Sequence, residues 1–199
     1  HSYRTLGSDY YVDIQVKNVS DARLVLFNKE LARELKLELP DSDAELEQLI
    51  LKNFAWFKQE QQQNPTEDSS EEIQTFFATR YQDADDKAEG SALGDGRAVW
   101  VGELITETEP GRFRYVDVVL KGTGVTPLAW FNHPRETHRD GMVSMTDAVH
   151  EYIYSLAAKT NGIDTVGILA VIELPFVRKA DNEKAAILVR IGNHLRFAH

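Results

Sequence analysis

The chain has 199 residues, a formal net charge of −10, 42% hydrophobic and 27% charged residues, and no cysteine. That length suits one domain or two small ones with a proper core, and the composition is that of an ordinary soluble globular protein. The negative charge argues against a bulk nucleic-acid binder while leaving room for a nucleotide held by a few local cations. The missing cysteines exclude disulfides, thiolate metal sites and cysteine nucleophiles. No run approaches a membrane span and no charged-then-apolar signal segment opens the chain, so no membrane partner is expected and a cytoplasmic protein is the default. A first residue His1 rather than Met, and an end at His199 just after a β-rich stretch, read as a piece of a longer protein.

Tyr11-Val-Asp-Ile-Gln-Val16 alternates as a short strand does, and Asp21-Ala-Arg-Leu-Val-Leu-Phe27 is a second short apolar run. Asn28 is placed to cap a helix over 29–37, with Phe27, Leu31 and Leu35 on one face. Pro40 and Asp41-Ser-Asp43 break that helix and cap another over 44–61. In it Leu46, Leu49, Ile50, Phe54 and Phe57 recur at helical spacing behind an acidic first turn. After a polar stretch over 59–72, Ile73, Phe76 and Phe77 predict a short helix over 71–81. The run Gln82-Asp-Ala-Asp-Asp-Lys-Ala-Glu-Gly90 is acidic and poor in apolar residues. It reads as an exposed linker, because it lacks the ligand spacing and closing glutamate of a calcium loop.

From Gly94 the character changes. Strands over 97–107 and 112–121 are joined by Thr108-Glu-Pro-Gly111, a hairpin turn, and Gly122-Thr-Gly-Val-Thr-Pro127 bends the chain after the second. The stretch 128–139 is loop-like. A helix is predicted over 142–160, with Val149, Ile153 and Leu156 on one face and Asn161-Gly162 as its stop. Strands over 164–174 and 183–192 follow, linked by the charged turn Arg178-Lys-Ala-Asp-Asn182. Strand, strand, helix, strand, strand points to an α+β fold, an antiparallel sheet with a packed helix. The expected organisation is a mostly helical N-terminal segment over 1–82, an acidic linker over 83–92, and the sheet unit over 93–199.

Several residues in this second half have the chemistry to hold a phosphorylated ligand. In Gly94-Asp-Gly-Arg97 the glycines carry no Cβ, so a phosphate or base can approach backbone N–H groups closely. Taken alone, such a sequence is a plain turn more often than a ligand loop. Lys121 ends a half-buried strand beside Gly122 and Gly124. A strand lysine next to a helix carrying Glu151 is the arrangement by which kinase-like N-lobes hold nucleotide phosphates; the plain alternative is a strand-end amine in water. Arg190 and Arg196 bracket Ile191-Gly-Asn-His-Leu195, and two guanidiniums leaving a strand can clamp a phosphate in a fork, unless they serve only as surface residues or partners of nearby acids. Asp140-Gly141, just before the predicted helix, is explained by a cap and turn. His133 and His138 have no third ligand at metal spacing, so no zinc site is predicted. The serines lack a nucleophile elbow, and Trp130-Phe131 reads as packing rather than base stacking.

Together these stretches resemble the selenoprotein O family. The resemblance rests on Leu93-Gly-Asp-Gly-Arg-Ala-Val99 with Gly102-Glu103, then Val119-Leu-Lys-Gly-Thr-Gly124 with Thr126-Pro127, Asp140-Gly141 and His150-Glu-Tyr-Ile153. Gly162-Ile163, Ile187-Leu-Val-Arg190 and Leu195-Arg-Phe-Ala-His199 complete it, and Arg23-Leu-Val-Leu-Phe-Asn28 and Leu31-Ala-Arg-Glu-Leu-Lys-Leu37 look like the family's N-terminal segment. The resemblance implies a kinase-like N-lobe over 93–199 of a pseudokinase-like enzyme that uses ATP and Mg²⁺ to transfer AMP to Ser, Thr or Tyr hydroxyls of protein substrates. It implies nucleotide contacts from Gly94, Gly96, Arg97, Lys121, Asp140, Gly141, Arg190 and Arg196, with Glu151 positioning the lysine. It also implies that the catalytic and metal-binding residues lie in a C-lobe beyond this chain, so that the 199 residues alone are inactive. The acidic 83–90 run and Met142 motivate a second reading, a non-catalytic nucleotide-sensing or protein-interaction module with an N-lobe shape.

Overall fold

The computed structural model describes residues 1–58, 72–81, 93–129, 140–178, 181–195 and 199. Two short 3-10 turns, Ser2–Leu6 and Ser8–Tyr10, lead into strand β1, Tyr11–Asn18, which buries Ile14 and Val16 and exposes the polar residues between them. Strand β2 is Arg23–Phe27. Asn28 caps α1, Lys29–Glu34, by accepting the Leu31 N–H, and Ser42 caps α2, Asp43–Phe54, by accepting the Glu45 N–H.

Helix α2 is shorter than the predicted 44–61. Asn18 Nδ2 donates to Leu51 O at 3.2 Å and Lys52 O at 3.4 Å, satisfying carbonyls of the last turn. The chain then extends into β3, Trp56–Lys58, which pairs with β1. Phe57 thus lies on a strand and not on a helix face. The predicted helix over 71–81 is also a strand: β4, Ile73–Thr79, pairs with β1 along its whole length. The spacing of Ile73, Phe76 and Phe77 imitates a helix because Phe76 and Phe77 are buried on opposite faces of one sheet, in separate apolar clusters. Among its described residues the segment 1–82 therefore carries four strands beside two α-helices, rather than being mostly helical. The linker boundary proposed at 83–92 lies outside the described residues, as do Trp130, Phe131, His133 and His138.

The predicted hairpin is present as β5, Ala98–Glu109, and β6, Arg112–Lys121. The third predicted helix starts later than 142, since Val143–Ser144 pairs as β7 before Ser144 caps α3, Met145–Thr160. Ile153 is 51% exposed, and the buried side of α3 is Ala148, with Met145 and Tyr152 beside it. A small alanine at the contact lets the helix axis come close to the sheet, which turns Ile153 outward. Strands β8, Gly167–Val177, and β9, Lys184–Gly192, follow.

The described strands form one antiparallel nine-stranded sheet in the order β2-β8-β9-β6-β5-β4-β1-β3, with β7 added to β9. The five consecutive residues Ala185–Val189 of β9 are buried, as a central strand covered on both faces requires. Val99, Val118, Leu120, Ile172, Ile187 and Val189 share a core with Ala32 of α1 and Leu46 and Ile50 of α2. The opposite face carries α3 over Ile168, Val171, Ala186 and Leu188 at one end. Toward the other end the first 3-10 turn lays Tyr3 over Phe77, Ala98, Trp100 and Val119. Each fully buried leucine or isoleucine contributes roughly 1.5–3 kcal/mol, which makes this two-sided sheet the main source of stability.

Candidate nucleotide site

Lys121 is the last residue of β6, and its side chain continues the face of Val119 toward α3. Its Nζ lies 2.5 Å from Glu151 Oε2, on the second turn of α3. Arg190 on β9 approaches the same carboxylate, its Nε 3.4 Å from Glu151 Oε1. One carboxylate thus sits between two cations from neighbouring strands. Burial is the largest influence on Lys121 and pushes its amine below the usual 10.5; Glu151 opposes this by charge and hydrogen bond, while Arg97 and Arg190 add to it. Three positive groups around one negative one leave the cluster ready for an anion, because each added negative charge relieves repulsion among the cations.

The Gly94-Asp-Gly-Arg97 turn is stapled to the body of the fold. Asp95 N donates to Thr79 O at 3.0 Å, Thr126 N to Gly96 O at 3.0 Å, and Gly122 N to Arg97 O at 2.9 Å. Gly94 is required by the chain's own packing, since a Cβ there would stand 2.1 Å from Thr79 O. The Asp95 side chain is buried, and its Oδ2 accepts from Thr79 Oγ1 at 2.5 Å and from Trp100 Nε1 at 2.7 Å. Arg97 Nη1 donates to Met142 O at 3.2 Å, tying this turn to the residue after Asp140-Gly141.

Asp140 is a turn residue whose Oδ1 accepts the Met142 N–H at 2.9 Å, while its Oδ2 receives Arg178 Nε at 3.2 Å. Gly141 adopts φ 67°, and a Cβ there would meet Gly124 C and Val125 N at 2.2 Å. Its carbonyl accepts the Gly124 N–H at 3.2 Å. The glycines after Lys121 and the one before α3 therefore interlock. Arg178, whose side chain is 1% exposed, also pairs with Asp181 through Nη1 at 2.8 Å. Two carboxylates balance this buried guanidinium and fix Asp140 from behind.

The structure thus brings together two clusters of the predicted site residues. Lys121, Glu151 and Arg190 share one ion network, and Arg97 reaches from the Gly94–Arg97 turn to the Asp140–Met142 turn. Arg196 lies outside the described residues. Sequence reasoning missed Asp95 as a structural anchor and Arg178 altogether. Asp95 carried a faint signal, an acid between two glycines with a tryptophan five residues on. Arg178 carried none, because a charged run between two strands reads as an exposed hairpin turn.

An antiparallel sheet, one helix packed on its face and a strand lysine ion-paired to a helix glutamate define a kinase-like N-lobe. The chain belongs to the protein adenylyltransferase SelO family, whose model matches residues 1–199. It is similar to the protein nucleotidyltransferase YdiU of Maridesulfovibrio salexigens, 31% identical over 172 residues, covering 86% of this chain and 30% of the relative. The YdiU of Shewanella loihica is 41% identical over 110 residues, covering 54% of this chain and 20% of the relative. That of a Jannaschia species is 28% identical over 198 residues, 98% of this chain and 36% of the relative. The chain therefore spans between 20% and 36% of the length of these relatives. Among the described residues, no helix is long and apolar enough to cross a membrane.

Proposed function

We propose that this chain forms the nucleotide-holding part of a SelO-type protein adenylyltransferase, which transfers AMP from ATP to Ser, Thr or Tyr hydroxyls of other proteins. The observation that carries this reading is the Lys121–Glu151–Arg190 network beside Arg97. Lys121 and the guanidiniums of Arg97 and Arg190 neutralise the phosphate chain, and Glu151 keeps the lysine aimed into the site. Gly96 and the Asp140-Gly141 turn line the nucleotide, and Arg196 adds a further cation. Transfer between phosphate and hydroxyl depends mainly on positioning and charge stabilisation, which is what such a cluster supplies.

Magnesium is the metal this reading calls for, and the carboxylates at the described site do not fit it. Glu151 is held by Lys121 and Arg190, and Asp140 by Arg178 and the Met142 N–H.

Calorimetric titration of ATP into the wild-type chain and Lys121→Ala tests the site. A charge-assisted phosphate contact is worth about 1.5–3 kcal/mol, so affinity should fall roughly 10- to 100-fold. Equal affinities, or no binding by either protein, would remove Lys121 from a nucleotide site in this chain. Incubation with ATP labelled in its α-phosphate separates the enzyme from a non-catalytic nucleotide-sensing module. The 199 residues alone should bind without transferring label, and a form extended to the length of the relatives should transfer it.

A further inference from the structure

On the same sheet face as Lys121, four residues back along β6, lies a cluster that the nucleotide site does not use. Glu103 on β5 and Asp117 on β6 are directly opposed cross-strand partners. Two carboxylates facing each other across an antiparallel pair repel, and such a pair persists when a cation sits over it. His1 is the residue laid across them. Its side chain is 4% exposed, with Nδ1 3.7 Å from Glu103 Oε1 and Nε2 3.5 Å from Asp117 Oδ1. The buried Nε2 has no hydrogen-bond partner. A ring nitrogen buried beside two carboxylates, and hydrogen-bonded to neither, is an unusual thing to leave in a well-packed face.

The surroundings hold all three side chains in place. The imidazole meets the Phe77 and Trp100 rings edge-on, at centroid distances of 5.1 and 5.4 Å. Nδ1 accepts the Tyr3 N–H at 3.1 Å. Glu103 Oε2 accepts the Ser2 N–H at 2.9 Å, and its Oε1 accepts from Ser2 Oγ. Asp117 Oδ2 accepts the His194 N–H at 3.2 Å, which leaves Oδ1 turned toward the histidine. Carboxylates oriented by such bonds keep lone pairs for a further partner.

We propose that His1, Glu103 and Asp117 form a binding site for a divalent transition-metal ion. One imidazole and two carboxylates are a donor set suited to zinc, and to manganese with added waters. One ligand atom from each residue lies within 4.8 Å of the others. Zinc bonds of about 2.0–2.2 Å set tetrahedral ligand atoms roughly 3.4 Å apart, so no pair has to close by more than about 1.4 Å. That closure trades against the Ser2 bonds of Glu103 and the His194 N–H bond of Asp117. Binding through Nε2 moves the ring proton to Nδ1, on the side of Glu103, and releases the Tyr3 N–H from that nitrogen.

Calorimetric titration of Zn²⁺ into the nucleotide-free chain tests the proposal, with His1→Gln, Glu103→Gln and Asp117→Asn as variants and the exposed helix residue His150→Gln as control. A single 1:1 site is expected, weakened at least ten-fold by each of the three substitutions and unchanged by the control. Quenching of Trp100 by Co²⁺ should follow the same pattern. Asp117→Asn keeps an acceptor for the His194 N–H, and if it fails to fold, the other two variants decide the matter. The absence of a 1:1 site overturns the proposal. So does undiminished affinity in Glu103→Gln and Asp117→Asn, the result expected of adventitious binding to histidines.

Discussion

Replacing Asp95 with alanine should cost the protein a large share of its stability, although the residue sits in a glycine turn. Its Oδ2 accepts from Thr79 Oγ1 at 2.5 Å, from Trp100 Nε1 at 2.7 Å and from Thr79 N at 3.4 Å, and Thr79 and Trp100 are both buried. Thr79 Oγ1 retains His199 Nε2 at 2.8 Å as an alternative partner, so the indole N–H is the donor most completely stranded. A hydrogen bond to a charged group contributes about 1.5–3 kcal/mol, and a stranded buried donor costs about 1–3 kcal/mol. Set against the relieved burial of the carboxylate, the net loss for Asp95→Ala should be about 3 kcal/mol. Asp95→Asn keeps an acceptor of the same shape and should lose about 1–1.5 kcal/mol. In a chain of this size these losses correspond to falls in Tm of roughly 6–12 °C and 2–6 °C. Urea unfolding followed by far-UV circular dichroism measures both. An alanine variant within 0.5 kcal/mol of wild type, or an asparagine variant as damaging as alanine, would show that Oδ2 does not anchor the turn.

Two further predictions concern the charged network. The Lys121 amine is depressed below 10.5 chiefly by burial, so its charge weighs against folding below the folded-state pKa, and that cost disappears as pH rises toward 10.5. The stability of wild type minus that of Lys121→Met should therefore increase between pH 7 and 10, as measured by urea unfolding at fixed salt; a flat or falling difference contradicts the burial argument. Arg178→Met removes a buried guanidinium that bonds the partly exposed carboxylates of Asp140 and Asp181 and should cost about 1.5–3 kcal/mol in thermal unfolding, with Arg178→Lys recovering only part because it cannot serve both carboxylates in a fork. Full recovery by lysine would reduce Arg178 to a point charge.

The second half of the fold was legible because its signals are local. Pro110-Gly111 closes the β5–β6 hairpin, Asn161 and Gly162 end α3, and β8 and β9 are apolar runs too long for loops. What escaped detection was decided by partners distant in sequence. Phe76 and Phe77 read as a helix until β1 pairs beside them, and Phe57 leaves its apparent helix because β3 has β1 to join. The site divides in the same way. Lys121 and Glu151 could be matched from a strand end and a helix, but the carboxylates around Arg178 come from two separate turns that only the folded sheet brings together.

The pairing of β2 with β8 sets Arg23 opposite Glu173, so an edge strand made early in synthesis has its partner only near the end of these residues. The sheet is consequently a fold of high contact order, slow to close and unable to close while the chain is still short. On the ribosome, β2 must wait with an unpaired edge while about 140 residues are added, roughly 7–28 s at synthesis rates of 5–20 residues per second. Over that interval the first strands offer backbone donors and acceptors to any neighbouring chain. Truncation before β8 would make that exposure permanent, and aggregation rather than a smaller folded core would be its outcome.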